Sequence, residues 1–286
     1  MSIASLRKER RLKIQATHSL YLTISSYIKP GALHRFTTSL ERYDNLMLFV
    51  SAYGAIIDEV INFGDLLSRG RKAVGDFPLS IVLSSIKSVM YTYASGLEER
   101  LIPPLLLASI TDILHYLVKN ELGGEQLYIY SSFTNENARE FFEFLKAFDR
   151  EAKIILNRKG YNESNVSNAS LLELINALAA EKRRDYEYLL KAQVSECLSE
   201  TERRYMNGET LNNTVVSGFI SILLNDEKIS SNIKSGLLAA MKQGGMKTKE
   251  GGKALLEIDR QLQAQGIDTN DNLIPLLKCT NRLLIK

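Results

Sequence analysis

Apolar residues along the chain recur at helical spacing far more often than they alternate. Ile3, Leu6, Ile14, Leu20, Tyr21, Ile24 and Ile28 share one broad stripe, the pattern of a helix that buries one side. Lys29-Pro30-Gly31 then stops the run, because proline lacks a backbone donor and glycine frees the chain. Thr38 and Glu41 have capping-box spacing ahead of the apolar residues 46–50, which predicts a second helix reaching Leu67 with a bend at Gly54. After a turn bracketed by Gly70 and Gly75, Pro78 stands where a first-turn proline is tolerated, and Leu79, Val82, Ile86, Val89, Met90 and Tyr93 restore the helical period. Residues 105–117 are apolar on most faces and predict a central buried helix.

One short run breaks the pattern. QLYIY at 126–130 alternates weakly and is aromatic, which predicts the only strand. Thr134 then caps a helix carrying Phe141, Phe144, Leu145 and Phe148 at core spacing. YNESNVSNAS at 161–170 is a polar turn whose Asn and Ser side chains compete for backbone hydrogen bonds, and Ser170 with Glu173 makes a second capping box. Residues 181–204 read as a long, partly solvent-facing helix with breaks, followed by helices over 215–224, 229–241, 255–262 and 273–285. The expectation is an all-α multi-helix bundle with at most one short strand pair. It divides into two helical subdomains: residues 1–156, a polar linker at 157–169, and residues 170–286.

Composition supports a folded chain and narrows the chemistry. Of 286 residues 45% are hydrophobic and 24% charged, with five prolines and no tryptophan, and a chain this long buries about three quarters of its unfolded surface. YNESNVSNAS holds three consecutive N-glycosylation patterns. The early charges in MSIASLRKERRLKI argue against a secretory leader, so these are expected to stay unused in an intracellular, cytoplasmic protein. Cys197 and Cys279 are too few for a disulfide framework and suit a reducing compartment. No residue run is long and apolar enough to span a bilayer.

Complete catalytic constellations are missing. GGMKTKEGGKA at 244–254 fails as a phosphate loop, because Lys247 stands where a glycine is required and Ala254 where a hydroxyl is required. A helix-to-helix turn explains it, with Lys247, Lys249 and Lys253 left as a weak anion site. Ser84 and Lys87 match S-x-x-K without the companion elements. His18, His34 and His115 form no metal-ligand spacing with the two cysteines, and Asp112 with His115 reads as a one-turn helix contact. A nucleophile built from Cys197 or Cys279 and a distant histidine is left open. The adjacent acids Asp58-Glu59, Glu98-Glu99 and Asp226-Glu227 diverge by about 100° on a helix and share no substrate face. No cofactor and no metal is expected.

The net charge is +3, but residues 1–42 carry +6, from Arg7, Lys8, Arg10, Arg11, Lys13, Lys29, Arg35 and Arg42 against Glu9 and Glu41. Further basic groups are Arg69, Arg71 and Lys72; Lys182, Arg183 and Arg184; and Arg203 with Arg204. Converging, they would follow a phosphate backbone, with Tyr21, Tyr27, Tyr186, Tyr188 and Tyr205 near enough in sequence to stack bases. The leading expectation is a non-catalytic, helical, macromolecule-binding protein: an adaptor, regulator, effector or assembly subunit working through protein–protein contacts or self-association. An RNA- or DNA-binding, nucleoprotein-like role is the alternative, with the N-terminal helix also suited to a membrane surface. An enzyme with a site hidden from sequence comes third.

Overall fold

A computed structural model describes residues 3–34, 40–93, 99–118, 126–191 and 194–285. Among them are fourteen α-helices, four short 3-10 turns and no strand, which makes the fold all-α. The chain divides into two compact units. The first holds residues 1–17, 45–192 and 285; the second holds 18–44, 193–284 and 286. The polar stretch at 157–169 therefore lies inside the first unit and separates nothing. Helices on both sides of it pack on one another, so it is an internal connection.

In the first unit, the front of α1 (Ile3–Ser25) and most of α2 (Leu40–Ser68) are joined by α3 (Leu79–Tyr93), α4 (Ile102–Val118), α5 (Gln126–Ser132), α6 (Asn135–Phe148), α7 (Arg150–Arg158), α8 (Leu171–Ala180) and α9 (Arg184–Leu190). α2 bends by 45° between Gly54 and Ile56, at the glycine expected to bend it. The Thr38–Glu41 capping box involves residues outside those described. α4 is buried from Ile102 to Leu114 and forms the centre of the unit. α5, α6 and α9 pack on it, with α6 packing in turn on α3, α7 and α8.

QLYIY is helix α5, not a strand. Ile129, Tyr130 and Phe133 are buried while Tyr128 and Ser131 are exposed, so the side facing the core recurs at helical, not alternating, positions. Tyr130 Oη bonds Thr111 Oγ1 of α4 at 3.1 Å, giving the hydroxyl a partner that a lone strand would not supply. Thr134 caps α6 by accepting from Asn137 N–H, and the phenylalanines of that helix pack in the core, Phe144 against Phe148 at 4.5 Å between centroids. Ser170 and Glu173 form the expected capping box. The sequon loop is ordered by its own amides: Asn165 Nδ2 donates to Gly160 O at 2.7 Å, and Asn162 N–H donates to Asn165 Oδ1 at 2.8 Å.

Three tyrosines are completely buried in this unit. Ser109 Oγ donates to Tyr53 Oη at 2.7 Å, Tyr130 meets Thr111, and Tyr186 Oη donates to Asp149 Oδ2 at 3.1 Å. Burial raises all three phenol pKa values above the ordinary 10.0. The unfolded chain therefore releases these protons first as pH rises. Their contribution is fully present below about pH 10 and is lost above it. The urea midpoint is expected to fall steeply above that pH, with the last three of the thirteen phenolates absorbing only as the helical signal disappears. Smooth ionisation of all thirteen before unfolding would contradict this.

The second unit contains α10 (Ser195–Met206), α11 (Leu211–Asn225), α12 (Ser231–Lys242), α13 (Lys249–Ala264) and α14 (Leu273–Leu284), with residues 18–34 completing it. The broken helix expected over 181–204 is the pair α9 and α10, with the break around Lys191. α14 is buried on nearly every side, together with the preceding polar residues Thr269, Asn270, Asp271 and Asn272. These polar groups are bonded: Leu33 N–H donates to Asn270 Oδ1 at 2.6 Å, Thr269 Oγ1 donates to Pro30 O at 2.9 Å, and Asn272 Nδ2 donates to Asp226 Oδ2 at 2.7 Å.

Lys29 is fully buried at the end of α1. Its Nζ donates to Thr23 O, Ile24 O and Ser26 O, each at 2.8 Å, so an ammonium closes carbonyls that the helix end leaves open. Burial lowers its pKa well below the ordinary value.

Cys197 on α10 and Cys279 on α14 are joined by a disulfide, with Cα atoms 6.2 Å apart. This corrects the expectation of reduced thiols and removes both cysteines as candidate nucleophiles. A sequence separation of 82 hides the pairing from any local sequence pattern.

Candidate interaction surfaces

An open groove of about 510 Å³ lies in the second unit between α10, α11 and α12. Ile220 and Leu224 of α11 and Leu238 and Met241 of α12 supply its apolar surface. Leu238 is 48% exposed. Leu237, its neighbour, is fully buried, so the 100° step between consecutive helical positions turns one leucine to the core and the other to the groove. No local sequence signal marks the groove: adjacent apolar pairs such as Phe141 and Phe142 are both buried, and the periodicity of α12 reads as ordinary core.

The wall formed by α10 is charged. Glu200 accepts from Arg203 Nη2 at 2.8 Å and Arg204 Nε at 2.5 Å, and Arg204 Nη1 also donates to Glu209 at 3.1 Å. Burial opposes the charge on Arg204, but the bonds to Glu200 and Glu209 raise its pKa. Burial likewise works against ionised Glu209, while Lys247 and Arg204 lower its pKa. Arg203 and Arg204 are thus fixed parts of the groove wall. Ser199, Ser217 and Ser221 add hydroxyls beside the apolar surface.

The basic residues singled out from sequence fall into three situations. Arg183 is buried: it bonds Asp149 at 3.1 and 2.6 Å and Asp185 at 3.1 and 2.6 Å. Burial opposes its charge, yet the bonds to Asp149 and Asp185 raise its pKa above the ordinary guanidinium value. It is therefore corrected from an anion contact to an internal counter-ion. Others reach the surface but are already paired: half-buried Lys13 with Asp58 at 2.5 Å, and exposed Arg69 with Asp65 at 2.8 Å and Lys247 with Glu209 at 2.8 Å. Arg184 bonds Tyr188 Oη and lies over its ring, 5.3 Å from the centroid.

Arg7, Lys8, Arg10, Arg11, Arg71, Lys72, Lys182, Lys249 and Lys253 are exposed. Lys249 and Lys253 begin α13 behind the glycine turn. Gly251 there is a packing residue, since a Cβ on it would stand 2.3 Å from Gly245 O; the run is a helix-to-helix turn. Of the proposed base-stacking tyrosines, Tyr186 is buried, whereas Tyr21 and Tyr205 are exposed.

Among the described residues no cluster of three His, Cys, Asp or Glu is arranged to hold a metal. His34 and Asp259 are both buried, with Nε2 and Oδ2 3.5 Å apart, and Asp259 also accepts from Gly31 N–H and Gln263 Nε2. That arrangement ties the residues after α1 to α13. Among the described residues no single helix is long and apolar enough to cross a membrane, although the bent halves of α2 reach that length and composition together. Comparison with protein-family models, curated proteins and solved structures finds no match.

Proposed function

We propose that the protein is a non-catalytic binding protein that engages a protein partner, or another copy of itself, through the groove between α10, α11 and α12. The supporting observation is the exposed Leu238 beside Ile220, Leu224 and Met241 in a groove with a charged, internally bonded rim. An apolar centre enclosed by a polar rim is the anatomy of a protein interface. The rim also resists collapse, because Glu200 holds both arginines in place.

Leu238→Glu is expected to weaken partner capture or self-association by at least tenfold, because it puts a carboxylate where an apolar side chain would dock. Ile154, 57% exposed on α7 in the other unit, provides the control: Ile154→Glu should leave association unchanged. Sedimentation velocity and crosslinked pull-downs, with circular dichroism to confirm folding, make the comparison. Equal association by both variants and the wild type would end this reading.

A further inference from the structure

The free cations of α1 and those following α2 lie at one end of the first unit. Thr17 Cγ2 approaches to 3.9 Å of the position a Cβ would take on Gly54, and Lys13 Nζ meets Asp58 Oδ2 at 2.5 Å. Four residues back along α1 thus correspond to four residues forward along α2, so the two helices run antiparallel. From the Lys13–Asp58 contact, past the 45° bend of α2, the stretch of α1 back to Arg7 and the stretch of α2 on to Ser68 therefore lead the same way. α2 ends at Ser68. Arg71 and Lys72 emerge just beyond it.

Arg7, Arg10, Arg11 and Ile14 also occupy one arc of about 100° on α1, opposite the buried Leu12 and Ala16. Arg7, Lys8, Arg10, Arg11, Arg71 and Lys72 are exposed and make no ion pair among the described residues. This distinguishes them from Lys13 and Arg69, whose carboxylate partners are beside them.

We propose that this end of the first unit binds the phosphodiester backbone of a nucleic acid. The charge is dense and chiefly guanidinium, the group suited to paired contacts with phosphate oxygens. Among the described residues of this stripe within the unit, Ile14, at 65% exposure, is the one large exposed hydrophobic side chain. A protein interface needs an apolar or aromatic centre, and stable attachment to a bilayer needs more buried apolar area than one isoleucine provides. Phosphate contacts need neither. This inference is independent of the groove, which belongs to the other unit.

The test is fluorescence anisotropy of the full chain with labelled single-stranded RNA and with duplex DNA, across a salt series, alongside sedimentation with phosphatidylserine vesicles. Engagement of all six cations predicts a slope of log affinity against log salt of about −4 for single strands and about −5 for duplex. Arg10→Ala/Arg11→Ala and Arg71→Ala/Lys72→Ala are each expected to reduce the slope by about 1 to 2 and to weaken low-salt binding by roughly tenfold. Lys249→Ala/Lys253→Ala in the other unit should change neither. Three results would overturn the proposal: no binding to either nucleic acid at low salt, binding to the vesicles alone, or an Arg71/Lys72 variant that binds like the wild type.

Discussion

Reducing the Cys197–Cys279 bond is expected to cost the second unit about 4–5 kcal/mol of stability, the chain-entropy value for a closed loop of this length. The bond joins α10 to α14 across 82 residues of sequence, and those residues include α11, α12 and α13. Both sulfurs are buried, Cys197 at 2% exposure and Cys279 at 0%, so the reductant must act on the unfolded chain. The measurement is a pair of equilibrium urea titrations with and without a phosphine reductant. The loss is large beside a typical total of 5–15 kcal/mol for a folded domain. Coincident titrations, or an intact mass unchanged by reduction under denaturing conditions, would refute it. Comparing the same chain in two redox states removes no atoms from the core, which a cysteine substitution would do.

The second large effect is expected at Arg183. Its guanidinium joins Asp149, at the start of α7, to Asp185 in the first turn of α9, and lies 5.1 Å from the Tyr186 ring centroid. Asp149 has a second task, accepting from Ala152 N–H to cap α7. Arg183→Leu leaves two buried carboxylates facing each other without their cation and should destabilise the first unit by about 3–5 kcal/mol. Replacing Arg183, Asp149 and Asp185 together by apolar residues should recover much of that loss, because the cost comes chiefly from the uncompensated charges. Urea denaturation of both variants checks the pair of outcomes. A single variant as stable as the wild type would show that the network contributes little. Nucleic-acid affinity, measured under conditions where the variant stays folded, should be unchanged.

Several helices were legible from local signals, although Ile14 and Tyr21, expected on the buried stripe of α1, are 65% and 43% exposed. Thr134, Ser170 and the apolar periods of α3, α4, α6 and α11 each act within a few residues of where they sit. QLYIY was misread because five residues contain too little of either period; the decisive fact is which of them face α4, a contact between elements. The unit division was hidden for a related reason. An Asn- and Ser-rich loop resembles a linker whether or not the helices on its two sides pack together.

Charge was the least legible feature. Lys13, Arg69, Arg183 and Lys247 look equivalent to Arg7 or Arg71 as letters, and only their distances to Asp58, Asp65, Asp149 and Glu209 distinguish them. The groove was equally obscure, since Ile220, Leu224 and Met241 fall at positions that ordinary packing also fills. Lys29 shows the same limit from the other side. It counted towards a basic leading segment, yet its ammonium is used entirely on carbonyls of its own chain.

The interleaved course of the backbone has a consequence for synthesis. The second unit is assembled from residues 18–44 and 193–284, with most of the first unit between them. On the ribosome, residues 45–192 emerge together and can condense early, whereas residues 18–44 must wait for partners made well over a hundred residues later. Neither compact body can be excised by trimming one terminus. A truncation ending near residue 192 would strand an exposed apolar segment containing Leu20, Ile24 and Ile28, and an aggregation-prone fragment is the expected product.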